Sequence, residues 1–494
     1  MTKRIIALVL LVWAGAAMAV SCSDKGPEEK HSIIFAENPV MAGASAGDFE
    51  VAIVADAEWK ASSADSWITL KTPTGGASCS FSVAANPETS SRDGKIRFSI
   101  SGYSKDLTVR QVGNTGRLTL GQSSVDIDTY GTPVEVMVTS AENWTVSSVE
   151  ASWLKAVPKN GATLTVSAGM NYSGKARTAS VVLSTASDQA SLSVTQAADN
   201  SVFFGASTEE GRIFAYKTGL VSTVTSDRTY TVTDGVDVLE ISYVGQVNGS
   251  LAPTAVFLYT VDLDKVSLAV TCANDDDSSI KPDDTQLTVV QTIRQQLAAM
   301  QSKRGIQVWG GVNGDFFYGS SYGRNNLAQG IVVRRGVVLK DTFDGGTVCT
   351  VFALMKDGTG AILTQAEYAA RKSSIAEALG GRQRLLQNGD IVSEDTTLEP
   401  RTAVGVSSDR KTVYLLIVDG RRSNWSTGAS YPMMSRMFLA MGASNAINLD
   451  GGGSSTFVVH EGTTAALSEF VTKNRPVDNT GDRAVINGIA IVKK

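Results

Sequence analysis

The stretch Asn448-Leu449-Asp450-Gly451-Gly452-Gly453-Ser454-Ser455 closes one apolar, strand-like run, Ala446 to Leu449, and leads into another, Thr456 to Val459. Three consecutive glycines let backbone N–H groups turn into one concavity, an arrangement suited to a phosphate or other anion. Asp450 brings a carboxylate alongside. Two more segments share this build, polar residues and glycines directly at the end of an apolar strand, where active sites are commonly assembled. They are Gly311-Val312-Asn313-Gly314-Asp315-Phe316-Phe317, and Val418-Asp419-Gly420-Arg421 continuing to Ser426-Thr427-Gly428. Each segment alone reads equally well as a tight turn. Their joint occurrence points to a site.

Around these segments strands alternate with helical stretches. Val290, Ile293, Leu297 and Met300 recur at spacings of three and four, which predicts an amphipathic helix from about Asp284 to Lys303. Shorter helices are expected over Gln365 to Leu379 and Met433 to Met441. Strand-like runs surround them at Gln307 to Trp309, Gly330 to Leu339, Thr347 to Leu354, Ala403 to Val406, Val413 to Val418 and Ile486 to Val492. The reading is one α+β mixed-sheet domain over residues 201–494. The acidic run Asn274-Asp275-Asp276-Asp277 lacks the spacing of a calcium loop and is expected to be solvated.

The preceding region contains a repeat. Trp59, Asn86, Arg92 and Gln111 recur as Trp144, Asn171, Arg177 and Gln196, each pair 85 residues apart. Between these landmarks apolar and polar residues alternate, as in Leu107-Thr108-Val109 and Leu192-Ser193-Val194, the period of half-buried strands. Two all-β immunoglobulin-like sandwiches are therefore expected, over residues 33–115 and 116–198. A tryptophan on such a strand either fills the core, the commoner case, or stacks on a sugar ring. Gly169 to Lys175 has the glycine and lysine spacing of a phosphate-binding loop, but Ala176 replaces the required Ser or Thr and the surroundings are strands.

Residues 1–21 begin with Lys3-Arg4 and continue with an apolar stretch, Ile5 to Ala19, too short to span a bilayer comfortably. This is the pattern of an export signal. Ala19-Val20-Ser21-Cys22 resembles a bacterial lipobox, which implies lipidation of Cys22, with residues 22–32 as a polar tether. The expected location is the outer membrane, on its periplasmic or cell-surface face, with the lipid anchor the only membrane contact.

Composition narrows the chemistry. Of 494 residues, 43% are apolar and 19% charged, as in ordinary folded protein, and the length suits about three domains. A formal net charge of −5 disfavours nucleic acid as a partner. Two histidines, His31 and His460, exclude a poly-histidine zinc site, and no Gly-x-Ser-x-Gly elbow accompanies His460. The four cysteines have no Cys-x-x-Cys spacing. Chemistry is left to Asp, Glu, Arg, Asn and backbone amides. No cofactor is called for, and a divalent metal stays open.

The landmarks of the repeat, with Trp67 and Trp153 and the closing Val-Arg-Gln and Val-Thr-Gln, resemble the BACON domains of Bacteroidetes surface proteins, a family proposed to bind carbohydrate. In the last domain the order is Asn-Gly-Asp-Phe-Phe, Arg401-Thr402-Ala403-Val404-Gly405-Val406, Val-Asp-Gly-Arg with Ser-Thr-Gly, Asn-Leu-Asp-Gly-Gly-Gly-Ser-Ser-Thr, and Asn474-Arg475-Pro476. It resembles the phosphodiester glycosidase family, which includes the lysosomal "uncovering enzyme", N-acetylglucosamine-1-phosphodiester α-N-acetylglucosaminidase. The resemblance implies hydrolysis of the glycosidic bond of a sugar-1-phosphodiester to free sugar and a phosphomonoester, with that glycan as the partner.

These residue types suit that chemistry. A phosphate leaving group is already stabilised as an anion, so cationic and N–H donors matter more than proton donation. Arg401 and Arg421 are the expected phosphate clamps, with Gly451, Gly452, Gly453 and Ser454 as N–H and hydroxyl donors. Asp450 and Asp315 are the expected carboxylates for activating water or stabilising an oxocarbenium-like state, with Asp419 and Glu399 in reserve. Asn313, Asn448 and Asn474 are expected on sugar hydroxyls, and Ser426, Gly428 and Arg475 as further substrate contacts. The rival reading is a non-catalytic surface lipoprotein that binds glycan.

Overall fold

The computed structural model describes residues 31–494 except residues 248, 281–288, 319–325, 345–349 and 478–480. The export signal, Cys22 and nearly all of the tether lie outside the described residues. So does the beginning of the helix expected from Asp284.

The first repeat folds as two four-stranded sheets. One is ordered Ile33–Phe35, Gly47–Ala55, Ser78–Val83, Ile68–Leu70; the other Val40–Ala42, Tyr103–Gln111, Arg92–Ile100, Lys60–Ser62. Side chains alternate along each strand, so Ile96, Phe98, Leu107 and Val109 face Phe81, Val83 and Trp59 in one core. The second repeat is likewise two four-stranded sheets, around Val136, Leu164, Val181 and Leu192.

The structure explains the repeated landmarks. Trp59 is 1% exposed and donates its indole N–H to Gly76 O; buried Trp144 does the same to Gly161 O. Arg92 Nε donates to Gln111 Oε1 at 2.8 Å, and Arg177 Nε to Gln196 Oε1 at 2.9 Å. Asn86 and Asn171 each donate to two backbone carbonyls. These are buried polar locks that satisfy turn backbone. Neither Trp59 nor Trp144 presents a face to a sugar.

The C-terminal domain is built on three antiparallel sheets. The largest has eight strands, ordered Thr223–Thr233, Val236–Val247, Ser250–Asp262, Thr412–Val418, Arg401–Ser407, Ala443–Asn448, Arg384–Gln387, Asp390–Ile391. A five-stranded sheet runs Val266–Val270, Gly488–Lys493, Val308–Asn313, Phe457–His460, Phe470–Thr472. Another runs Val337–Lys340, Val332–Arg334, Ile375–Gly381, Thr350–Met355, Gly360–Thr364. Phe257, Tyr259 and Leu415 from the first, Phe457 and Ile489 from the second, and Phe352 and Leu379 from the third share one core. The helices Glu209–Thr218 and Tyr431–Met441 cover the opposite face of the eight-stranded sheet through Phe214, Met434 and Phe438. Burial on both faces is why the run from Val413 to Val418 reads as continuously apolar.

Three expectations need correcting. The amphipathic helix is shorter, Ile293–Arg304, because Thr292 caps its N-terminus in a capping box with Gln295. The helix expected over Gln365 to Leu379 ends at Arg371; Ile375–Gly381 is instead a central strand, where its apolar residues pair with Thr350–Met355. In the acidic run, Asp275 is buried between Arg304 and Arg334 and is not solvated.

Candidate functional site

The antiparallel register brings the quoted segments to one end of the eight-stranded sheet. Arg401 pairs with Val418, and Ala403 with Asn448, so Asp419 and the Asp450 turn leave the sheet at the same end as Arg401. The Asn-Gly-Asp segment arrives from the neighbouring sheet. Asp450 donates its N–H to Gly314 O at 3.0 Å, and Asn313 donates from Nδ2 to Asp450 O at 2.6 Å. A cavity of about 370 Å³ opens there, lined by Phe316, Arg382, Glu399, Pro400, Arg401, Arg421, Tyr431, Asn448, Asp450, Gly451 to Gly453 and Arg483.

Four of these are arginines. Arg401 is buried; its Nε donates to Ala429 O at 3.1 Å, its Nη2 to Thr397 O at 2.8 Å, and its guanidinium lies 4.3 Å over the Tyr431 ring. That leaves Nη1 without a protein partner among the described residues. Arg421, in the left-handed region at φ 58°, pairs with Glu399 at 2.6 Å, and its guanidinium stands beside Gly452. Arg382 bonds the Gln329 amide and lies 4.5 Å over Phe316. Arg483 reaches the Ser454 hydroxyl.

Two carboxyls have acidities far from the ordinary aspartate value. Burial pushes Asp450 up to about 6, while the Ser454 hydroxyl and the Arg483 and Arg382 charges pull it down. Burial pushes Asp315 up to about 7, opposed by the Gly330 N–H and Lys340 and reinforced by the Asp450 charge. Asp450 forms cavity wall; Asp315 is 3% exposed and does not. The Asp315 carboxylate is enclosed because Gly330 and Gly380 approach it. A Cβ on Gly380 would come within 2.9 Å of Asp315 Oδ2. Burial is the main cause for both groups, and the Asp450 charge adds to it at Asp315.

Asp419, expected as a reserve catalytic carboxylate, and several expected substrate contacts make scaffold hydrogen bonds. Asp419 accepts from Trp425 Nε1, Asn474 Nδ2 and Arg475 N, each at 2.8 Å, so both its oxygens are occupied. Asn474 also donates to Ser455 O and accepts from Phe457 N, and Asn313 Oδ1 accepts from Thr402 and Thr456. Ser426 donates to Asp419 O and accepts from Ala255 N. Gly428 lies against the Glu399 backbone at φ 107°, where a Cβ would come within 2.7 Å. Arg475 is exposed, 3.7 Å over Trp425, and is not on the cavity wall.

The glycine turn spends much of its donor capacity internally. Gly452 N–H goes to Pro400 O, and Ser454 N–H to Gly451 O. Glycine is required at 451 because Pro400 O lies 2.6 Å from where its Cβ would stand. Asn448 stays on the wall, with its Oδ1 buried and unpartnered. His460 is remote from the cavity: it stacks on Phe470 at 4.2 Å and approaches Glu469 at 3.3 Å.

The sequence reading did not single out Arg382, Tyr431 or Arg483. Arg382 follows Gly380-Gly381 without any motif, and only the strand pairing of Arg384 with Ile447 reveals its place. Among the described residues no three His, Cys, Asp or Glu side chains gather as a metal ion would need.

Residues 307–492 match the phosphodiester glycosidase family, and residues 57–112 and 142–197 match the BACON family, described as "Putative binding domain, N-terminal". The SPbeta prophage-derived uncharacterized protein YomE of Bacillus subtilis is 27% identical over 288 residues, 53% of this chain and 41% of that one. The chain thus spans less than half the length of this relative. Among solved structures, the zebrafish N-acetylglucosamine-1-phosphodiester alpha-N-acetylglucosaminidase catalytic domain, auto-inhibited by its pro-peptide, aligns with 55% of this chain and 89% of its own at 17% identity and a TM-score of 0.41. A hypothetical protein from Synechocystis aligns with 83% of this chain and 91% of its own at 12% identity and a TM-score of 0.37.

Proposed function

We propose that the phosphodiester glycosidase domain at residues 307–492 hydrolyses the glycosidic C–O bond of a sugar-1-phosphodiester of the N-acetylglucosamine type, releasing free sugar and a phosphomonoester. The observation that carries this reading is the juxtaposition of Asp450, raised to about 6, with an arginine-lined cavity. At pH 7 Asp450 is largely ionised and able to take a proton from water. The water oxygen attacks C1, the C1–O bond breaks, and its electron pair stays on the departing phosphate oxygen. Arg401 Nη1 and Arg421 bind that phosphate, and rigid guanidinium groups stabilise the growing charge without reorganising. Asp315 lies behind Asp450 and acts as its electrostatic partner. Ordinary acid assistance is dispensable, because a phosphomonoester leaves as a stable anion.

The same reading makes the N-terminal sandwiches spacers that carry the domain away from a lipid anchor at Cys22, on the outer membrane. Burial of Trp59 and Trp144 supports it, since both indoles are committed to the core. Loss of fatty-acid labelling in Cys22→Ala tests the anchor. Purified protein incubated with a GlcNAc-1-phosphodiester tests the activity: reducing sugar and phosphomonoester should appear in equal amounts, and their absence at high enzyme concentration would reject the assignment.

A further inference from the structure

The cavity holds more positive charge than one phosphodiester needs. Among the described residues, Glu399 is committed to Arg421 at 2.6 Å, and Asp450 is the other wall carboxylate. Arg401 and Arg382 have no carboxylate within 4.0 Å among the described residues; their hydrogen bonds go to the neutral carbonyls of Ala429 and Thr397 and to the Gln329 amide. Both guanidiniums lie over aromatic rings, Arg401 over Tyr431 at 4.3 Å and Arg382 over Phe316 at 4.5 Å, which keeps water from one side of each. The nearest carboxylates, Asp450 for Arg382 and Asp395 for Arg401, act on them at a distance and not in contact, so partly desolvated guanidinium groups stay open to a ligand that supplies charge directly. A sugar-1-phosphodiester supplies one negative charge. Arg483 adds further positive potential at the Asp450 side, where it stabilises the ionised carboxyl.

We infer that the substrate carries a second anion next to the scissile phosphate, and that Arg382 is the residue that selects for it. The chemical class is a sugar joined to a diphosphate diester, or to an aglycone whose own anionic group lies immediately beyond the first phosphate. Arg401 and Arg421 hold the phosphate bonded to C1, and Arg382, beside Phe316, takes the second charge. The inference rests on the hydrolytic reading of the same cavity but goes beyond it, since that reading needs one phosphate only.

The test compares kcat/KM for two substrates with the same sugar, a sugar-1-phosphate methyl diester and a sugar-1-diphosphate methyl diester, with wild type, Arg382→Gln and Arg382→Lys. Wild type should favour the dianion at least tenfold. Arg382→Gln should lower kcat/KM for the dianion at least tenfold more than for the monoanion, the loss common to both reflecting the Arg382 charge that Asp450 also feels, and Arg382→Lys, which keeps the charge, should retain a reduced preference. Equal kcat/KM values in wild type, or an equal loss on both substrates in Arg382→Gln, overturn the inference while leaving the hydrolytic assignment standing. Calorimetric binding of dimethyl phosphate against dimethyl diphosphate gives a readout independent of turnover. Tighter binding of the diphosphate to wild type, lost in Arg382→Gln, is expected; equal affinities overturn the inference even if neither sugar ester is hydrolysed, a result that would separately reject the hydrolytic reading. A third pair, in which the second anion is an aglycone carboxylate, separates the two sources of charge.

Discussion

The backbone N–H of Asp450 donates to the carbonyl of Gly314 at 3.0 Å, so the turn after one sheet is tied to the turn before Asp315 in another. Together with the bond from Asn313 Nδ2 to Asp450 O, it holds near each other two carboxyls 135 residues apart in sequence, so that the Asp450 charge is felt at Asp315. Their chemistry is separable, because of the two only Asp450 forms cavity wall.

Asp450→Asn should abolish turnover without unfolding the domain. The amide preserves size and most hydrogen bonding but cannot accept the proton, and the expected loss is at least ~100-fold, about 3 kcal/mol. Steady-state assay of the purified variant, with circular dichroism as a folding control, checks this. Near wild-type activity would remove Asp450 from the mechanism.

For the wild type, kcat/KM should rise with pH through about 6, as Asp450 ionises. A rate that falls across that interval would mean the protonated carboxyl is the active form.

Asp315 gives a stability prediction with a definite sign. Its pKa is raised to about 7 in the folded protein, against roughly 3.9 unfolded. Folding therefore favours the protonated form, and the stability it contributes is full below the unfolded value and is lost as pH rises through about 7. Asp315→Asn removes this ionisation and keeps an acceptor for the Gly330 N–H. The variant should melt higher than wild type at pH 8, and the difference should shrink or reverse at pH 4. A variant less stable than wild type at pH 8 would show that the ionised carboxylate is compensated in the fold.

Arg401→Lys should weaken phosphodiester turnover by roughly 1.5 to 3 kcal/mol, the usual range for a charge-assisted hydrogen bond, because lysine replaces a fixed fork with a mobile point charge. A substrate with an uncharged aryl leaving group should lose much less, if it is accepted. Equal losses on both substrates would mark Arg401 as structural, through its bonds to Ala429 and Thr397.

Gln111→Leu should destabilise the first sandwich by about 1 to 3 kcal/mol, since it takes the acceptor from Arg92 Nε and a donor from the carbonyls of Gly43 and Ala84, of which Ala84 O keeps only Arg92 Nη2. Chemical denaturation followed by Trp59 and Trp67 fluorescence measures it. An unchanged midpoint would contradict the reading of the landmark as a buried lock.

Much of this was legible in the sequence where local chemistry forces the structure. The glycine run at 451–453 and the helix over Met433 to Met441 were both visible, the latter extended to Tyr431 by the Ser430 cap and Pro432. The strand pattern of the repeats showed period-two alternation that a half-buried sheet requires. The long strands from Thr223 to Asp262 were not singled out: Thr223–Thr233 is polar and mostly exposed and is defined by pairing with Val236–Val247, whereas the alternation of Val236–Val247 and the apolar run Ala255 to Tyr259, buried on both faces, are signals the sequence carries. Within the site, Asp450, Arg401 and Arg421 were legible as charged groups at strand ends. The scaffold role of Asp419, Asn313 and Asn474 was not. A buried carboxylate that accepts three donors looks in sequence like one that awaits a substrate, and only the hydrogen-bond inventory separates them.

The most direct measurement is turnover of a GlcNAc-1-phosphodiester in water enriched in oxygen-18, with mass analysis of both products. Attack at C1 places the label on the anomeric hydroxyl of the released sugar and leaves the phosphomonoester unlabelled. That is the expected result. Label in the phosphate, with unlabelled sugar, would show that the P–O bond is cut and that Asp450 and the arginine cavity serve a phosphodiesterase instead.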